Sequence, residues 1–175
     1  MTPRADARRN RAAILTAATE AFAEHGPKAT TEQVAVRAGV AVGTVFRHFP
    51  TKDALVVAIM KESLQHLVAL AAGSTLFDFM SAVVDEAVRT RTVVVALTHD
   101  LDVGDALSGL TGELQRLLDQ AKDAGVVRPD VQVDEVLALL TAAAQAAQSA
   151  GWPEDLRRRT LAVVFRGLAL ADVDS

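Results

Sequence analysis

The sequence predicts an all-α chain: an N-terminal group of three helices, residues 1–51, followed by a longer helical body, residues 52–175. Three observations predict it. Apolar residues recur at three- and four-residue spacing along most of the chain. Gly and Pro punctuate those stretches at Gly26-Pro27, Gly39, Pro50, Gly73, Gly125 and Gly151. The β-branched run Val93–Leu97 could form a strand by itself, but it has no second strand to pair with, so we read it as part of a short buried helix.

Residues 1–10 carry Arg4, Arg8 and Arg9. Two readings stay open for this arm: a solvated, frayed terminus, or a basic segment that touches phosphates or a minor groove. The first helix is expected from about Ala7 to His25. Ile14, Ala18 and Phe22 lie on one stripe at i, i+4 and i+8, with Leu15 beside it. That stripe should pack on Val34, Val45 and Phe49. Gly26-Pro27 ends the helix, and Lys28 stands in the connection, close enough to touch a backbone phosphate.

The stretch Thr30 to Asp53, TTEQVAVRAGVAVGTVFRHFPTKD, holds two short helical patterns, a Gly turn and a Pro stop. The Thr30 hydroxyl can accept from the N–H of Gln33 while the Gln33 side chain reaches back, a capping box. Val34, Ala35 and Ala38 share one face. Gly39 ends this helix, because Gly takes a left-handed conformation without steric cost. Val40 then plugs the space between the helices. The second pattern runs Val42 to Phe49, with Val45 and Phe49 one turn apart. Pro50 stops it, having no N–H and restricting the residue before it, and Thr51 can cap the next helix. Gly43, Thr44, Arg47 and His48 are left for the outer face. A small residue, a hydroxyl, a guanidinium and an imidazole suit a surface that enters a major groove, so this stretch is read as a helix-turn-helix.

The same stretch resembles the DNA-binding head of TetR/AcrR-type transcriptional regulators, whose pattern runs T-x-x-x-I-A-x-x-A-G-V-S-x-G-T-L-Y-x-H-F-x-x-K-x-x-L. Thr31, Val34-Ala35, Ala38-Gly39-Val40, Gly43-Thr44, His48-Phe49, Lys52 and Leu55 stand in register with it, without a gap. The resemblance implies an N-terminal three-helix helix-turn-helix DNA-binding head on a C-terminal helical ligand-binding and dimerisation bundle. Two positions depart from the pattern. The family usually has Ser where Ala41 stands, and that Ser caps the recognition helix. It usually has Tyr where Phe46 stands, and that hydroxyl typically reaches a phosphate. A lost cap costs about 1 kcal/mol, and a lost hydrogen bond roughly 0.5–1.5 kcal/mol.

Lys52 falls in the first turn of the next helix, where the helix dipole disfavours a cation. Asp53 partly offsets this, and a phosphate is the natural partner for the lysine. Leu55, Ile59, Leu67 and Leu70 carry the stripe to about Ala72, where Gly73-Ser74 breaks it. The next pattern runs from Thr75 to about Arg91, with Leu76, Phe77, Met80, Val83, Val84, Ala87 and Val88 apolar. Asp85-Glu86 reads as a solvated face. Asp100 to Asp105 is a loop and helix start. Leu107, Leu110, Leu114, Leu117, Leu118 and Ala121 define a helix that Gly125 caps, and Arg128-Pro129-Asp130 is a turn.

One more helix is expected from Asp134 to about Ser149, and a last one from Pro153, tolerated at the first helical position, to about Ala171. Val136, Leu137, Leu140, Ala143, Ala144 and Ala147 share a face on the first of these; Leu161, Val164, Phe165 and Leu168 share one on the second. Such faces can be buried within one subunit or against a second copy. Stripes this wide on two terminal helices favour a mixture, and the resemblance implies a four-helix bundle with a twofold mate. The dimer residues expected are Leu140, Ala143, Ala144, Ala147, Leu161, Val164, Phe165 and Leu168.

At 175 residues the chain is long enough to bury a core. It has no Cys, which excludes a disulfide framework, a thiolate nucleophile and Cys-ligated zinc. The net charge of −4 conceals an asymmetry: residues 1–52 hold eight Lys and Arg against four Asp and Glu, and residues 53–175 hold ten against eighteen. A basic head on an acidic body directs the head towards phosphates. Neither a secretory signal nor an apolar run near the ~18 residues that span a bilayer is expected, so the reading is cytoplasmic with no membrane partner. GxSxG, HExxH, P-loop and GxGxxG patterns are absent, and His25, His48, His66 and His99 lack metal-like spacing. Neither catalysis, a metal nor a cofactor is expected.

The function expected is that of a homodimeric transcriptional repressor that binds a palindromic double-stranded DNA operator and is released by a small apolar effector. The DNA-contacting residues would be Arg4, Lys28, Thr31, Val42, Gly43, Thr44, Phe46, Arg47, His48 and Lys52. The effector, itself unknown, would sit among Met60, Phe77, Met80, Val84 and His99, and by resemblance would shift the helix that begins at Lys52. A second reading keeps the same head and makes the body a ligand-independent protein-interaction module.

Overall fold

The computed structural model describes residues 3–90 and 104–170. These residues form eight α-helices and no extended strand: α1 Pro3–His25, α2 Thr31–Ala38, α3 Val42–His48, α4 Lys52–Ala71, α5 Leu76–Thr90, α6 Gly104–Asp123, α7 Val133–Ala150 and α8 Glu154–Leu168. A 3-10 turn, Gly26–Lys28, follows α1. The run Val93–Leu97 and His99 lie outside the described residues. Packing divides the chain into two units, Met1–Ser63 with Arg89–Val103, and Leu64–Val88 with Gly104–Ser175.

α1 starts at Pro3, so residues 4–10 are helical and not an arm. Pro is tolerated in a first turn because its missing N–H would have no partner there. Ala and Arg are strong helix formers, and Arg9 pairs with Asp6 one turn away. Further along, Ile14, Leu15, Ala18 and Phe22 meet Val34 and Ala35 of α2, Val45 of α3, Phe49, and Leu55 and Ile59 of α4 in one buried core, with Val40 partly buried against it.

Both arms of the capping box form: the Gln33 N–H donates to Thr30 Oγ1 at 3.2 Å, and the Thr30 N–H donates to Gln33 Oε1 at 2.9 Å. Gly39 is left-handed, with φ 66°. The Val40 N–H reaches the Ala35 carbonyl at 3.0 Å and the Gly39 N–H the Val36 carbonyl at 3.2 Å, a Schellman closure. α3 begins without such help, because Ala41 offers no side-chain acceptor. It ends at Phe49, whose N–H donates to the Val45 carbonyl at 2.8 Å. Thr51 Oγ1 accepts from the Ala54 N–H at 3.0 Å and opens α4.

The division between these two packing units falls inside α4, after Ser63. The reason is that Leu55 and Ile59 belong to the head core. α4 is also long and apolar enough to cross a bilayer by length and composition, against the expectation of no such segment. Its apolar side chains are nevertheless used for packing: Leu55, Ile59, Met60, Leu64, Leu67 and Ala71 are buried. Lys61 and Glu62 stand at its middle.

In the second unit, Phe79, Met80 and Val83 of α5, Leu114 and Leu118 of α6, Val136 and Ala144 of α7 and Leu161 of α8 are buried. Arg116 Nη2 donates to the Ala71 carbonyl at 3.0 Å, beside the Ser74 N–H at 3.3 Å, so two donors hold the end of α4. Asp85 is exposed and receives Arg157 Nε at 2.7 Å, but Glu86 is only 6% exposed, so Asp85-Glu86 is not one solvated face. Position 86 lies three residues after Val83 and seven after Phe79, on the inward stripe of α5. α8 begins one residue after Pro153 and ends at Leu168, short of the expected residue 171. An isolated antiparallel bridge between Val127 and Ala169 captures the chain there, with the Arg128 N–H on the Leu168 carbonyl at 3.0 Å and the Leu170 N–H on the Val126 carbonyl at 3.1 Å.

The contrast between the two short helices of the head gives a paired expectation. Thr30→Ala removes the α2 cap and should destabilise the head by about 1 kcal/mol, while Ala41→Ser adds the missing α3 cap and should stabilise it by a similar amount. Urea midpoints followed by far-ultraviolet circular dichroism should move in opposite directions.

Candidate nucleic-acid interface

α3 is seven residues long and is pinned on one side by Val45, which is fully buried. On the other side Gly43, Phe46 and Arg47 are exposed, and Val42, Thr44 and His48 are half-buried. A Cβ at Gly43 would meet nothing within 4 Å, so the backbone of α3 is open to close approach at that point. Phe46 presents an aromatic ring 43% exposed, without the hydroxyl that would donate to a phosphate.

The remaining expected contact residues are distributed around α3. Thr31 opens α2 and is half-buried; its hydroxyl donates to Glu32 Oε2 at 3.4 Å. The Glu32 carboxyl is held below the usual glutamate range, first by its own backbone N–H and next by the Thr30 hydroxyl. Lys28 is exposed in the 3-10 turn, and Arg4 lies in the first turn of α1. Lys52 opens α4 half-buried, with its ammonium 5.5 Å from the centroid of the Phe22 ring. The ring is a partner that sequence spacing did not supply.

Two further arginines of the head are engaged. Arg37 straps α2 to α1, with Nη2 2.5 Å from Glu24 and Nε 3.9 Å from Glu20. That hydrogen bond is the main cause of the lowered Glu24 pKa, followed by the charges of His25 and Arg37. Arg11 lies with its guanidinium carbon 5.3 Å from the Phe49 ring centroid. The signal for Arg11 was present in its spacing: it precedes Ile14 by three residues and Leu15 by four, which continues the inward stripe of α1.

Four of the expected effector residues, Met60, Phe77, Met80 and Val84, are among the described residues. Met60 is buried in the first unit, and Met80 and Val84 are buried in the second. Phe77 is half-buried and stacks on Phe165, with centroids 4.5 Å apart and planes 19° apart. A cavity of about 310 Å3 is lined by Thr75, Leu76, Phe77, Leu117, Gln120, Ala121 and Val126, with Ser74 and Ala124. Of the expected dimer residues, Leu140, Ala143, Ala144, Ala147, Leu161 and Leu168 are covered within the single chain. Val164 and Phe165 are half-buried. The apolar surface that α7 and α8 leave open is carried by Leu139, 39% exposed, and Val163, 60% exposed. A groove of about 490 Å3 runs beside them, lined by Val131, Ala138, Leu139, Val164, Gly167 and Leu168, with Arg128 and Glu135. Among the described residues, no group of three or more His, Asp and Glu could hold a metal ion.

Comparison with known proteins extends this geometry to the whole chain. A family model described as bacterial regulatory proteins, tetR family, matches residues 14–59. A second, described as the C-terminal domain of SbtR-like transcriptional regulators, matches residues 71–170. An HTH-type transcriptional repressor of Mycobacterium tuberculosis is 37% identical over 142 residues, which are 81% of this chain and 70% of that protein. The crystal structure of a TetR transcription regulatory protein from Mycobacterium vanbaalenii superposes with a TM-score of 0.71 at 36% identity, covering 96% of this chain and 99% of that one. FadR of Bacillus subtilis, solved in complex with stearoyl-CoA, superposes with a TM-score of 0.63 at 16% identity over 90% of this chain and 98% of that one, a likeness of fold alone. Head and body each match models of regulators: this chain belongs to the TetR family of DNA-binding transcriptional regulators.

Proposed function

We propose that this regulator is a homodimeric repressor that lays two copies of α3 on a palindromic operator and releases it when a small apolar ligand enters the body. The observation that carries the reading is the outward face of α3, where Gly43, Phe46 and Arg47 are exposed on a helix fixed by Val45 beneath. Two such helices would enter major grooves about 34–36 Å apart. Val42, Gly43, Thr44 and Arg47 would meet base edges, with Phe46 beside them. Arg4, Lys28, Thr31, His48 and Lys52 would set register on phosphates, which position a protein without specifying sequence. Repression is supported by the Mycobacterium tuberculosis relative named as a repressor. Such a protein works beside the chromosome, in the cytoplasm.

Pairing would use the outer surfaces of α7 and α8, with Leu139 and Val163 at the centre and the small residues Ala138 and Gly167 allowing close approach. The buried Ala143, Ala144 and Ala147 would support that surface from within. The ligand would occupy the cavity beside Phe77, whose volume of about 310 Å3 lies at the small end of the roughly 300–1,000 Å3 range of ligand sites. The stearoyl-CoA complex of a fold neighbour makes acyl chains a reasonable first class to try. Any ligand can act only as far as it prefers the released arrangement. A second reading, the body as a ligand-independent interaction module, is favoured by the full burial of Met80 and Val84 in the second unit.

Four measurements bear on this. Affinity for an operator selected from a random pool should fall steeply and linearly on a log–log plot against salt, as counterion release requires; a flat line would reject groove binding. Phe46→Tyr should tighten operator binding by roughly 0.5–1.5 kcal/mol per protomer, and unchanged affinity would mean that position 46 faces no phosphate. Val163→Glu should shift sedimentation from dimer to monomer and weaken operator binding with it; a dimer that persists places the interface elsewhere. In a panel of acyl chains and acyl-CoAs, an effector should raise the melting temperature and weaken DNA binding together. A panel in which nothing couples the two favours the interaction module.

A further inference from the structure

We propose that Arg11 is a DNA-phosphate clamp, held in position by the end of the recognition helix itself. The inference rests on the DNA-binding reading of the head. Arg11 is exposed on α1, and its guanidinium carbon lies 5.3 Å from the centroid of the Phe49 ring. Phe49 closes α3: its N–H donates to the Val45 carbonyl at 2.8 Å, and its side chain is only 4% exposed in the core. The ring therefore moves with α3, and Arg11 is tied to the same body.

The chemistry of the contact decides what Arg11 has left to offer. A guanidinium is planar and stays charged, and a ring contact, 5.3 Å from Cζ to the centroid, neutralises none of that charge. Its N–H donors form the fork that matches two phosphate oxygens. A carboxylate partner would occupy the same edge and cancel the charge. Among the described residues Arg11 has no carboxylate partner, whereas Arg9 is paired with Asp6, and Arg37 with Glu24 and Glu20. The Phe49 ring thus orients the cation without neutralising it. The partial negative charge at the C-terminal end of α3 adds to that attraction.

Position points to the same ligand. In a helix-turn-helix the N-terminal residues of the recognition helix reach base edges. A cation stationed at the opposite end faces the rim of the groove, where the phosphates are. The His48 ring is also near Phe49, tilted at 47° with centroids 6.4 Å apart.

Phosphate contacts carry no sequence information, so the test needs no operator. The full chain is titrated with a random-sequence duplex of about 30 base pairs over a range of salt concentrations, with circular dichroism to verify that each variant is folded. Each phosphate contact contributes about 0.9 to the slope of log affinity against log salt. Arg11→Gln should lower the slope by about that amount per bound protomer, and Arg11→Lys, which keeps the charge, should restore the slope with weaker affinity than the native fork. An Arg11→Gln slope equal to wild type, even with lower affinity or stability, would make Arg11 a packing residue and overturn the clamp. A flat wild-type plot would remove the DNA reading of the head, and this inference with it.

Discussion

A helix of seven residues has almost no stability of its own in water, because it must nucleate and then has few turns over which to recover that cost. α3 is such a helix, and Ala41 gives it no side-chain cap. Its existence depends on the burial of Val45 and Phe49 against α1, α2 and the first turns of α4. The rest of the head can be understood as what that burial requires. The capping box at Thr30 fixes where α2 starts, and left-handed Gly39 fixes where it stops. Together they set where the chain presents Val45 to the core. The surface offered to DNA is then whatever is left on α3 once its inner side is taken.

Charge in the head is sorted by the same packing. Arg37 and Arg9 have carboxylate partners and contribute little field beyond them, while Lys52 and Arg11 lie against the rings of Phe22 and Phe49. The two aromatic rings that build the core thus also station cations at its edge. At Arg11 the ring does this without cancelling the charge, which a carboxylate cannot do. The strap from Arg37 to Glu24 has a different effect. It neutralises a basic residue on α2 and ties α2 to α1, so that the helix before α3 is held by charge as well as by Val34 and Ala35.

How much of this was legible in the sequence depends on how local the physics is. Thr30, Gln33, Gly39, Pro50 and Thr51 act within a few residues of themselves, and each behaves in the structure as its chemistry suggests. The inward stripe of α1 was legible for the same reason, since spacing alone defines it. The start of α1 was not, because a Pro near a terminus fits a helix start and a frayed arm equally well. Glu86 was misjudged because a carboxylate was weighed by its type and not by its place on the stripe of Val83 and Phe79. The faces of α7 and α8 were the hardest. An apolar stripe states that something covers it and not what does, and here the chain itself covers Leu140, Ala144 and Leu161 while leaving Val163 and Leu139 outside. The expected effector residues meet the same ambiguity: Met80 and Val84 have the composition of a pocket lining, which is also the composition of a core.

α4 is where the two halves of the proposed function have to meet. Its apolar side chains serve two cores in succession, Leu55 and Ile59 with Phe22 and Phe49, then Leu64, Leu67 and Ala71 in the second unit. No Gly or Pro interrupts it from Lys52 to Ala71, so it lacks the residues at which helices usually kink. Its last carbonyl is held by Arg116 of α6, and its first residue lies over Phe22 of α1. A change in packing around Ala71 then has two outlets: α4 moves as one rod, or it gives up a buried leucine or isoleucine at one end. Emptying such a site costs about 2–5 kcal/mol, as much as or more than the 1–3 kcal/mol by which allosteric sites typically couple. The first turn of that rod carries Lys52, and Leu55 and Ile59 share the head core with the Phe49 ring beside Arg11, so under the proposed function a displacement of α4 would reach the phosphate contacts proposed for Lys52 and Arg11.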